Sequence, residues 1–170
     1  MADIIDPRHE ALVEHLFQRV CIVLNMPGFE LKPLRRRMRG RGAFRSFKYG
    51  YTRLDEKSVT IDLYTPKTMT TRKIDAILRV ICHELAHHQS PPKLVIMQKR
   101  SRSLFRVSFR RMMLAHHPEF WQQVKKNVEW ISKDEILGEH FKEHQTYHES
   151  TSLRAFKSNE KKLFRSEMDT

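Results

Sequence analysis

A helix that must be buried on two sides constrains this chain more than any other feature. Ile74, Ile77, Leu78, Ile81 and Leu85 recur at helical spacing and predict one apolar stripe. His83 and His87 fall on a different face, in line with Ala76 and Val80. An ordinary surface helix would carry charges there, so this one is predicted to face a core on one side and a cleft on the other. Within it, His83-Glu84-Leu85-Ala86-His87 forms the HExxH pattern. Residues four apart share a helix face, so both imidazoles can reach one metal ion, with Glu84 beside it to take a proton from water. The rival reading is two core histidines satisfied by hydrogen bonds, and the Glu between them argues against it.

The rest of the chain predicts an α+β domain around that helix. Asp6 and Pro7 open an amino-terminal helix carrying Leu12, Leu16, Val20 and Leu24, which ends near Asn25 to Gly28. His9 and His15 on it read as surface imidazoles. The stretch from Leu31 to Gly42, with glycine among arginines, predicts an exposed loop or strand edge. Ala43 to Tyr51 and Val59 to Tyr64 predict two strands of a hairpin in a small antiparallel sheet, joined through Arg53 to Lys57. The second strand alternates Val59, Ile61 and Leu63 with Thr60, Asp62 and Tyr64, as a half-buried strand does. Thr70 or Thr71 is placed to cap the HExxH helix. Phe105, Val107 and Phe109 favour a further strand, although Met112 to Leu114 resembles helix. Pro118 opens a last helix with Phe120, Val124, Val128 and Ile131 inward and Gly138 as its stop. The predicted domain spans residues 1–138, and the polar residues 139–170 read as a flexible tail.

Charge is distributed unevenly. The chain carries a formal net charge of +12, and fifteen of its 32 Lys and Arg lie in two segments without an acidic residue, Lys32 to Lys48 and Gln89 to Ala115. These flank the HExxH helix, and they predict a polyanionic partner, most simply nucleic acid. Arg35, Arg36, Arg37, Arg39, Arg41, Arg100, Arg102 and Arg106 are the candidate contacts. The plainer reading is two solvated basic faces. Cys21 and Cys82 sit in apolar helical patterns and read as buried thiols, which fits an intracellular setting, cytoplasm or nucleoid or nucleus. The longest apolar run, Val20 to Leu24, is too short to span a bilayer.

A catalytic zinc takes three protein ligands and keeps a position for water. The HExxH helix supplies two, and His116 or His117, at the mouth of the last helix, is the best source of the third. Taken together, His83-Glu84-Leu85-Ala86-His87 and His116-His117-Pro118-Glu119-Phe120-Trp121 resemble the minimal zinc peptidases of the SprT, WLM and YgjP-like group. Their pattern is HExxH, then His-Gly or a similar pair followed by two residues and Phe or Trp. Alignment on Phe120 puts the ligand at His116, with His117 in the small-residue position and Glu119 as a further alternative. The order of elements from about Leu12 to Ile131 is also similar, although the span between His87 and His116 is long and basic for the smallest members. The resemblance implies a minimal zincin-like fold, Zn2+ as cofactor, Glu84 as the catalytic base, and cleavage of proteins bound or crosslinked to DNA.

Two other functions compete with a peptidase. One is a nucleic-acid-binding protein whose zinc is structural or whose site is inactive. The other is a zinc hydrolase of a non-peptide bond, since HExxH specifies the hydrolytic water better than the substrate. His140-Phe141-Lys142-Glu143-His144, extended by His148, matches the inverted motif HxxEH, but its polar flanks predict a surface run rather than a cleft.

Overall fold

The computed structural model describes residues 5–35, 49–100 and 107–141. Helix α1 (Pro7–Val23) is capped by Asp6, whose carboxylate accepts from the amides of Arg8 at 3.0 Å and His9 at 3.2 Å. Its buried face is Val13, Leu16, Phe17, Val20 and Cys21, while Leu12 is exposed. Four-residue steps overrun a helical turn by about 40°, so the predicted stripe drifts outward at Leu12 and Val13 takes its place. His15 is exposed as expected, but His9 is half-buried and packs on Tyr64. The chain leaves α1 through Asn25 (φ 52°) and Gly28 (φ 80°), residue types that tolerate the left-handed region.

Three strands follow: β1 (Glu30–Leu34), β2 (Gly50–Arg53) and β3 (Ser58–Asp62). The predicted hairpin is present, with Tyr51 opposite Thr60 and the turn closed by Glu56 N–H donating to Arg53 O. The sheet is mixed rather than antiparallel, because β1 lies parallel to β3 on the edge away from β2. β3 is therefore central and buried along its whole length, polar Ser58, Thr60 and Asp62 included, instead of half-buried. Most of the predicted Ala43 to Tyr51 strand, residues 43–48, lies outside the described residues.

Helix α2 (Ile74–Gln89) has the predicted inward stripe, with Ile77, Leu78, Ile81 and Leu85 buried. Its cap position is Lys73, not Thr70 or Thr71. The Thr70 hydroxyl is engaged with those of Thr65 and Thr68, and Thr71 forms a β-bridge with Tyr64. Beyond α2, β4 (Lys93–Arg100) and β5 (Val107–Leu114) make a separate two-stranded antiparallel ribbon, so Met112 to Leu114 continue a strand and not a helix, while Phe105 lies outside the described residues. Helix α3 (Pro118–Lys133) then packs on α2, and the short α4 (Glu135–Glu139) follows.

Gly138 does not stop α3; it is buried inside α4, where an added Cβ would lie 2.5 Å from Ser132 O. Asp134 makes the break. It caps α4 through the amides of Ile136 and Leu137, and it pairs with Arg19 of α1 at 2.7 Å. The core joins α1, α2 and the sheet to Ile131, Leu137 and Phe141. Residues 142–170 of the predicted tail lie outside the described residues. Among the described residues no helix is long and apolar enough to cross a membrane.

Candidate metal centre

His83 and His87 stand one turn apart on α2, half-buried, with ring centroids 5.1 Å apart. The residues between β5 and α3 bring His116 over them. His116 Nε2 lies 3.2 Å from His83 Nε2, and one nitrogen from each of the three rings falls within 4.8 Å of the others. Two nitrogens bound to a tetrahedral zinc at its usual bond length are separated by about 3.3 Å, so the His83 and His116 pair is spaced for shared coordination. The three histidines can hold a metal ion.

Burial, then the neighbouring His116, pushes both His83 and His87 down to about 4. Near neutral pH both rings are neutral, and each keeps a lone pair that it can offer to a metal. The sign of the linked stability follows. In the metal-free protein these rings protonate near 6.5 when unfolded and near 4 when folded. Their contribution is complete above about pH 6.5 and is lost as pH falls toward 4. Melting temperature measured in chelator should therefore decline between pH 6.5 and 5, before the carboxylates titrate. A flat profile across that window would contradict the burial of these rings.

Packing singles out His116 over its neighbours. His117 is buried, with Nε2 at 3.1 Å from Pro91 O and Nδ1 at 2.9 Å from Glu119, and it occupies the N-cap position of α3. Both its nitrogens are engaged. Glu119, the other alternative, is turned to Lys93 and His117, which hold its carboxyl at about 2. His88 is also engaged: its Nε2 lies 2.6 Å from Thr52 Oγ1, which donates to Ser58 O, so His88 donates to Thr52 and pins α2 to the hairpin.

Glu84 is buried beside the histidines, at the wall of a cleft of about 710 Å3. Strand β2 also lines the cleft. It approaches α2 so closely at Gly50 that a Cβ there would sit 2.7 Å from Val80 Cγ1 and 3.4 Å from Glu84 Cγ. Glycine is needed at that point for the strand to lie against the helix. Sequence patterning missed Gly50 in this role, and it also missed Asn127. Asn127 is buried and donates from Nδ2 to Cys82 O at 3.2 Å and Gln89 Oε1 at 2.7 Å, tying α3 to α2. Its signal was a polar residue seven positions after Phe120, on the apolar stripe of α3.

The remaining predicted residues are less informative. Arg35 is clamped to Glu10 of α1 by two hydrogen bonds, 2.7 and 2.6 Å. Arg36, Arg37, Arg39, Arg41, Arg102 and Arg106 lie outside the described residues, and Arg100 ends β4. Of the HxxEH run, His140 closes α4 and Glu143, His144 and His148 lie outside. Cys21 and Cys82 are free buried thiols, as expected, and burial raises both their pKa values. No protein-family model, curated protein or solved structure matches this chain.

Proposed function

We propose that the chain is a zinc-dependent metallopeptidase similar to the SprT, WLM and YgjP-like group. The observation that carries this is the convergence of His83, His87 and His116 beside buried Glu84 in an open cleft. Three ligands, among the described residues, fit a catalytic site that keeps a position open; closed structural sites have four. Bound there, zinc would supply Lewis acidity toward water and a carbonyl oxygen. Glu84 takes the proton released as water attacks the carbonyl carbon, and returns it to the leaving amine. Phe120 and Trp121 pack against the histidine rings and hold them in place.

A peptide suits the cleft because β2, on its wall, is an edge strand; no strand of the described residues pairs with its outer side. An extended chain can add there by main-chain hydrogen bonds. The β4–β5 ribbon supports substrates associated with nucleic acid. Lys93, Lys99, Arg100, Arg110 and Arg111 belong to its two strands, and its base meets the cleft at Pro92 and Ala115. A two-stranded ribbon also has dimensions that a major groove admits.

The test is cleavage of an unfolded protein, free and DNA-bound, before chelation, after it, and after zinc is restored. Activity should vanish with the metal and return with it. Cleavage that survives chelation would end the metallopeptidase reading.

A further inference from the structure

The cleft-facing side of α2 continues past the histidines and, against the expectation of an uncharged face there, carries a cation. Arg79 lies one turn before His83, about 6 Å along the axis, and Arg72 precedes the helix; both line the same cleft. Glu84 is the one carboxylate among the described lining residues. Arg19, Arg35 and Arg53 each pair with a carboxylate. Among the described residues the two cleft arginines have no such partner. Arg72 donates to the main-chain oxygen of Asp62 at 3.0 Å and lies 4.4 Å over the Tyr49 ring. Arg79 lies 5.0 Å from the Phe141 ring, and its Nε is enclosed with no hydrogen-bond partner among the described residues. Burial outweighs the pull of Tyr49, Asp62 and Asp75 on Arg72, and of Asp75 and Cys82 on Arg79, and draws both guanidinium groups below their ordinary pKa. Two desolvated cations with donors to spare are half of an ion pair.

We propose that Arg72 and Arg79 form a carboxylate-recognition subsite, which selects substrates bearing an acidic group near the scissile bond. An extended peptide advances about 3.3 Å per residue, so the carboxylate belongs about two residues from the bond held at the metal. This rests on the peptidase reading. An acidic side chain and a terminal carboxylate offer the same chemistry.

Binding is read on the Glu84→Gln variant, where turnover does not interfere, by fluorescence anisotropy. The probes are amidated Ala/Ser peptides with one central Glu or Gln, and a Gln peptide ending in a free carboxylate. The Glu peptide should bind about tenfold tighter than its Gln counterpart. Arg79→Met should shrink that preference to under about threefold, with Arg79→Lys restoring part of it. Tight binding of the free-carboxylate peptide alone would assign the subsite to a chain terminus, again through the arginines. Equal affinity for all three peptides overturns the proposal. So does a preference that survives both Arg79→Met and Arg72→Met, since it would then be general attraction to a basic protein. If the wild type cleaves nothing while the Arg79-dependent preference remains, the peptidase reading fails and the carboxylate subsite stands.

Discussion

Glu84→Gln is expected to lower the rate of hydrolysis by about 10²- to 10⁴-fold while leaving bound zinc unchanged. The amide has nearly the shape of the carboxylate, so the packing of Glu84 beside Gly50 and Val80 is preserved. What it loses is the ability to accept a proton. The corresponding barrier increase is about 3–5 kcal/mol, too large to arise from a small shift in an otherwise intact site. Zinc content by elemental analysis and cleavage of an unfolded protein, measured on both proteins, decide the outcome. Equal cleavage by two zinc-loaded proteins would remove Glu84 from the chemistry. Loss of zinc in the variant would instead mean that the carboxylate holds the site together.

Much of the candidate site was legible because its chemistry is carried by helical periodicity. His83, Glu84 and His87 are local in sequence, and the stripe from Ile77 to Leu85 fixes which way they face. The choice between His116 and His117 was not local. Both precede the same Pro118, and only packing against Pro91 and Glu119 turns one ring inward and leaves the other over His83 and His87. The parallel pairing of β1 with β3 was equally hidden, since alternation reports a strand and says nothing of its neighbour. Turn chemistry misled at Thr70, whose hydroxyl prefers two other threonines to a helix amide, and at Gly138, where glycine serves close packing rather than termination. The basic segments carry charge without periodicity, so their composition argues for a polyanion without specifying a surface.

Phe120→Ala should be the most damaging substitution outside the chemistry itself. Phe120 is fully buried, and all three candidate ligands rest on it: His87 stacks at 4.4 Å, His116 lies at 4.9 Å and His83 meets it edge-on at 5.0 Å. Removing the ring leaves a cavity under the cluster and is expected to cost about 3–5 kcal/mol. For a domain of this size that lowers the melting temperature by about 10 °C. Zinc affinity should fall as well, by about 10- to 100-fold, the scale seen when supports around metal ligands are lost. Phe120→Leu separates the two effects, since it refills most of the volume but restores no flat surface for the His87 ring. Thermal melts in chelator should therefore recover in the Leu variant more fully than zinc affinity does. If the Ala variant melts early yet binds zinc as tightly as the wild type, Phe120 is a core residue only, and the ligands are held in register by α2 and the α3 cap.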